Sequence, residues 1–229
     1  MRYPWVLGLL VLGASVPMFG SIILSAGVDV LPTPPATVQV STGADDSTAF
    51  AFEESSEVTS APINVAVGSE PGTYVCCGAY PHAVVPADLS INSYLLYSEP
   101  LTDQPGKDYR VYTGSVTFSP GESIVGVIVG FSHLGSTNAT LGAPGTLYGT
   151  GPYYGLEGHD TISITGNLET LSFTFYTVPY DPVNGEHGID SIRILTTSSV
   201  PEPADFLLIG SGLLAVGLLF RARTRLRRG

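Results

Sequence analysis

Between residues 27 and 199 no apolar stripe of useful length recurs at the 3.6-residue period of a helix. Short runs of Val, Ile, Thr, Tyr and Phe alternate with polar residues instead, and Gly and Pro punctuate them. The pattern predicts an all-β fold, an antiparallel two-sheet sandwich of jelly-roll type, over residues 37–199. The expected strands cover 37–41, 48–53, 63–67, 91–97, 111–118, 123–131, 161–165, 170–176 and 191–196. The stretch 123–131 is nearly continuously apolar. It is expected as a central strand, with Gly126 and Gly130 where backbones approach closely. Residues 119–122 and the pair Gly166-Asn167 read as turns. The stretch 135–155, rich in Gly, Thr and Tyr, reads as a long surface loop. No internal repeat stands out, which argues against a propeller or solenoid.

Both ends differ from this body. Arg2 precedes an apolar run over 6–15, and the apolar character continues to Ile22, Ile23 and Leu24. Residues 1–26 therefore read as a secretory signal peptide, cut between about 20 and 26, with Gly20 and Ala26 as candidate last residues. An uncleaved signal anchor over 6–28 is the alternative, and both readings put the body outside the cytoplasm. Residues 27–36, with Pro32, Pro34 and Pro35, read as a stiff spacer. At the other end, Pro201-Glu202-Pro203 breaks the chain ahead of an uncharged apolar run, 206–220. As a helix this run reaches roughly 22 Å, short of a ~30 Å hydrocarbon core. It is expected as a single transmembrane helix whose flanking arginines snorkel. Arg221, Arg223, Arg225, Arg227 and Arg228 are five of the nine basic residues of the chain, and they place the tail in the cytoplasm.

The order of motif, span and arginines over 200–229 resembles a PEP-CTERM sorting domain. The resemblance implies recognition by exosortase, an integral-membrane protease or transpeptidase of Gram-negative bacteria that make exopolysaccharide. It implies removal of the tail near Pro201-Glu202-Pro203, and release or attachment of the body at the cell surface or in the biofilm matrix. The precursor would then sit in the inner membrane, after passage through the general secretion machinery and signal peptidase. Asp205 departs from the pattern, since the family more often has a small or hydroxylated residue there. Several stretches of 91–196, among them Gly114-Ser115-Val116-Thr117-Phe118 and Asp190-Ser191-Ile192-Arg193-Ile194-Leu195, also resemble the β-rich ectodomain that many proteins with this tail carry. That second resemblance brings no activity with it.

Charge narrows the partners. Residues 27–199 hold three basic residues against eighteen acidic ones, a net −15, while the whole chain carries −11. Nucleic acid and anionic lipid are disfavoured as partners of the body, because nothing there neutralises phosphates. Extracellular polysaccharide and divalent cations remain. Glu157, Asp160 and Asp190 are candidate calcium ligands, although six to eight oxygens are needed and no EF-hand spacing is present. The alternative makes Asp160 and Asp190 caps of strand ends. Otherwise no cofactor is expected. Cys76-Cys77 is a candidate vicinal disulfide, with an intermolecular link or two thiols as alternatives. Tyr148, Tyr153 and Tyr154 could stack on sugars or pack in the body. The four histidines form no ligand spacing, and no nucleophile elbow or zinc-protease motif occurs. The expectation is a non-catalytic exported surface or matrix protein. A carbohydrate-binding module and a polysaccharide hydrolase are the alternatives.

Overall fold

Alternation translates directly into strands. In 170–177 the apolar Leu171, Phe173 and Phe175 are buried, while Thr170, Ser172 and Thr174 are half-exposed on the other face. The computed structural model describes residues 22–38, 48–76, 78, 80–98, 110–149, 154–177 and 189–198. In chain order the strands are β1 (Ile22–Ala26), β2 (Val28–Val30), β3 (Thr37–Val38), β4 (Ala49–Val58), β5 (Ile63–Val65), β6 (Gly72–Val75) and β7 (Ala83–Val85). They continue with β8 (Ser90–Tyr97), β9 (Arg110–Phe118) and β10 (Glu122–Ile128). After helix α1 (Phe131–Leu141) come β11 (Leu147–Tyr148), β12 (Thr161–Ile164), β13 (Thr170–Thr177) and β14 (Ser191–Ser198).

Two five-stranded sheets carry the fold. Sheet 1 has the order β1-β9-β13-β12-β6 and sheet 2 the order β10-β14-β8-β4-β2. Neighbours pair antiparallel except β2 with β4, which are parallel. Two small pairs, β11 with β3 (parallel) and β5 with β7 (antiparallel), complete the described strands. Inward side chains of both large sheets meet in one core. Tyr112, Val116, Ile162, Leu171 and Phe175 come from sheet 1, and Ala51, Tyr94, Leu96, Ile124 and Ile194 from sheet 2. The outward positions of sheet 1 carry hydroxyls, and some pair across strands, as Thr117 does with Thr170 (2.9 Å).

Sheet 2 is buried on both faces. Strand β8 is buried from Ile91 to its end, sending Tyr94 and Leu96 into the first core and Ile91, Leu95 and Tyr97 into a second. Val38, Val65, Val85, Leu134 and Leu141 cover that second core from β3, β5, β7 and α1.

Several expectations are corrected here. The helix α1 falls partly in the expected strand 123–131 and partly in the expected loop. Its sequence hides it, because only Leu134 and Leu141, two turns apart, are buried. The strand expected to be central, β10, is instead an edge of sheet 2. Its apolar character comes, as expected, from burial on both faces, with Ile124 and Val127 in the first core and Ile128 in the second. The chain at Ala66 and Val67 covers the edge, with Ala66 N donating to Val127 O (2.9 Å). Gly126 marks a close approach of side chains rather than of backbone, since an added Cβ would lie 2.7 Å from Val65 Cγ1. Gly130 does not, because its nearest neighbour would be His133 Nδ1 at 3.8 Å. The turn at 119–122 is present, closed by Glu122 N to Ser119 O (2.9 Å).

The start of the described chain is also built into the fold. β1 is an edge of sheet 1 and β2 an edge of sheet 2, so residues expected as signal end and spacer link the two sheets. The switch occurs at Gly27. Its φ is +63°, and a Cβ there would lie 2.2 Å from Thr113 O. A cut after Ala26 would remove β1, whereas a cut after Gly20 would keep it. The mature N-terminus is therefore expected ahead of Ile22, as N-terminal sequencing would read. Gly27→Ala should lower stability by about 1–3 kcal/mol in chemical denaturation. An N-terminus at Gly27 with unchanged stability would contradict both.

Candidate functional site

The sorting residues Pro201, Glu202 and Pro203, the run 206–220 and Arg221, Arg223, Arg225, Arg227 and Arg228 lie outside the described residues, as do Cys77 and Tyr153. The signal peptide lies outside them up to residue 21. No described helix is long and apolar enough to cross a membrane. Cys76 is buried after β6, and its N–H donates to Asp160 O (2.7 Å).

The polar groups of the body gather in three buried clusters. The largest centres on Arg193, in β14, on the face of sheet 2 that α1 covers. Glu54 reaches it because of a bulge. The register of β4 against β8 shifts between Glu53 and Ser55, so Glu54 is the extra residue, aimed at the helix side. Arg193 Nε and Nη2 donate to the two Glu54 carboxylate oxygens at 2.6 and 2.8 Å. Nη1 donates to Leu134 O (3.2 Å) and Thr137 Oγ1, and Nη2 also to Asn138 Oδ1 (2.8 Å). The five N–H bonds of the guanidinium are thus used, two on β4 and three on α1. Ser93 Oγ donates to Glu54 as well (2.8 Å). Both members of the pair are fully buried. Burial alone would lower the Arg193 pKa, but the Glu54 carboxylate more than offsets it and holds it raised.

This cluster also accounts for two of the sugar-stacking candidates. Tyr148 places its ring against the Arg193 guanidinium, 5.7 Å from centroid to Cζ, and accepts from Ala143 N (2.6 Å). Tyr154 is only 4 % exposed. Burial raises the pKa of both phenols. Tyr154 packs into the second core and the half-buried Tyr148 against it, the packing alternative to stacking.

Glu122 centres the second cluster, on the inner face of sheet 2. Its Oε1 accepts from Asn92 Nδ2 (3.1 Å), Tyr94 OH (3.0 Å) and Thr196 Oγ1, joining β10 to β8 and β14. Desolvation, and then the Glu122 charge, raise the pKa of Glu53, its half-buried neighbour on the same face.

The third cluster brings together the sequence candidates Asp160 and Asp190, 0 % and 1 % exposed. The two carboxyls act on each other electrostatically, and burial raises the pKa of both. Asp160 Oδ1 accepts from Tyr176 N (2.7 Å) and Oδ2 from Glu157 N (2.5 Å). Asp190 Oδ2 accepts from Thr177 Oγ1, to which Ser98 Oγ donates in turn (2.6 Å). The backbone of Ser98 also donates to Asp190 O (2.9 Å). The pair therefore staples the ends of β12 and β13 in sheet 1 to β8 and β14 in sheet 2. Glu157 lies close enough to act on Asp190 electrostatically. Among the described residues no group of three or more His, Cys, Asp or Glu side chains is disposed to hold a metal ion.

Sequence reasoning picked Asp160 and Asp190 but missed Arg193, Glu54 and Glu122 as a connected set. A lone arginine in a strand of an acidic body was the available signal. No protein-family model, curated protein or solved structure matches the chain.

Two buried carboxyls this close cannot both ionise. Desolvation first, and the Asp160 charge second, push Asp190 up to about 9 from an ordinary 3.8. The folded state then holds a proton that the unfolded chain releases above about 4. Stability should fall as pH rises across that window, by up to about 1.4 kcal/mol per unit, and level off above about 9. Asp190→Asn keeps an acceptor for Thr177. It should flatten the slope of denaturation midpoint against pH, and an unchanged slope would refute the proton held at Asp190.

Proposed function

We propose that the chain is a non-catalytic exported protein of the cell surface or extracellular matrix, sorted through its C-terminal tail. The observation that carries this reading is the order Pro201-Glu202-Pro203, uncharged run 206–220, five arginines, over 200–229. On this reading exosortase acts near the motif and the body leaves the inner membrane. The fold supports the same division. The last described strand, β14, ends at Ser198 and lies between β10 and β8 in sheet 2. A cut near 201–203 removes no described strand and none of the residues of the two cores.

The two facing five-stranded sheets support a β-sandwich as the finer class of this body, with the jelly-roll type as its proposed topology. The buried charges support a structural role, since Arg193, Glu54, Glu122, Asp160 and Asp190 each spend their polar atoms on joining elements. Extracellular polysaccharide stays the proposed surroundings of the mature protein.

The intact mass of the protein recovered from its own cells tests the reading. A mature chain ending near 201–203 is expected. A mass that runs to Gly229 would make the tail a permanent anchor and overturn the exosortase assignment.

A further inference from the structure

Helix α1 shows an unusual face to its neighbour. His133, Ser136, Thr137, Thr140 and Leu141 fall on one stripe, at the spacing of neighbours on a helix surface. The stripe looks across a cleft of about 260 Å³ at the end of β4 and the segment leading into β5, from Glu57 to Asn64. A helix face set against protein is ordinarily apolar. Here only Leu141 is. The volume lies below the roughly 300 Å³ at which pockets for drug-sized ligands begin, so the cleft suits one small unit.

Its lining states what kind of unit. No Lys or Arg lines the cleft, which disfavours an anion. The hydroxyls of Ser136 and Thr137 already donate to His133 O, at 3.0 and 2.7 Å, so Ser136 offers its oxygen as an acceptor. Glu57 is an acceptor too. Its Oε1 is sealed from solvent with no hydrogen-bond donor, so the charge depends on what the cleft supplies to the rest of the group. Desolvation raises its pKa, in keeping with that shortage. Ala61, Pro62 and Ile63 line the same cleft. The cleft thus asks for both hydroxyl donors and C–H groups. A pyranose ring has both.

We propose that this cleft binds one neutral hexose unit, free or at the end of a chain, with sugar hydroxyls donating to Glu57 and a C–H face lying on Ala61, Pro62 and Ile63. Nothing given by the tail enters this assignment. It also differs from stacking on Tyr148 or Tyr154, which lie in and against the second core.

The test uses the full chain in a detergent without a sugar headgroup. Methyl glucoside, galactoside and mannoside, and linear oligosaccharides of the same sugars, are the probes, read by saturation-transfer NMR and calorimetry. At least one methyl hexoside is expected to bind. Its oligosaccharide should bind no tighter, since one unit fills the cleft. Glu57→Gln should weaken binding about tenfold through loss of a charge-assisted hydrogen bond. Ser136→Trp should abolish it by filling the space, at an exposed position whose only side-chain bond is to His133 O in its own helix. Binding by none of the hexosides, binding of oligosaccharides alone, or binding indifferent to both substitutions would overturn the proposal. None of these outcomes depends on where the mature C-terminus lies.

Discussion

A guanidinium moved out of water without partners costs several kcal/mol, a large part of the net stability of a domain. Arg193 is fully buried. The fold meets this demand with the bulged Glu54 on one side and polar atoms from the first two turns of a short helix, at Leu134, Thr137 and Asn138, on the other. The helix brings little of its own. It has no side-chain N-cap, no acidic residue in its first turn and only two buried residues. Leu134 and Leu141 hold it to sheet 2, together with three donors from Arg193 to Leu134 O, Thr137 and Asn138 and with Ser55 Oγ, which donates to Leu141 O (2.8 Å). Tyr148 closes the guanidinium from another direction, so α1 and β11 both meet sheet 2 at one cation.

The acidic residues of the body play two separate parts. Among the described residues Asp29, Glu70 and Asp88 are exposed and solvated. A few are buried, and each of these lies where strands must be joined. Glu122 takes three donors from β8 and β14 on one oxygen. Asp160 and Asp190 close one end of the two large sheets by accepting from Tyr176 N and Thr177 Oγ1. Glu57, half-buried at the end of β4 beside the cleft, has one oxygen buried without a donor.

Strand alternation made much of the β-structure legible before any coordinates. The pattern of 170–177 is the clearest case, with Leu171, Phe173 and Phe175 inward. The failures have physical reasons. In Ser191-Ile192-Arg193-Ile194, alternation puts Arg193 opposite the isoleucines, on a face that reads as solvent. The face is covered by α1, which carries too few apolar residues to be seen. β10 reads as central because its side chains are buried on both faces, Ile124 and Val127 in one core and Ile128 in the other, while hydrogen-bond pairing, which composition does not show, makes it an edge. β1 reads as signal peptide because an apolar edge strand and the end of a signal share a composition. Asp160 and Asp190 were legible as candidates, but whether carboxylates meet a metal or each other is decided by tertiary placement, not by spacing.

The dependence of the contact between α1 and sheet 2 on the Arg193–Glu54 pair is tested most directly by a double-mutant cycle in chemical denaturation, with Arg193→Met, Glu54→Leu and both together. Each single change leaves one buried charge without its partner and is predicted to cost about 3–5 kcal/mol. The double change removes both charges and is predicted to cost less than either single one. Single costs that add to the double value within about 0.5 kcal/mol would mean that the two groups act independently, and would contradict the account.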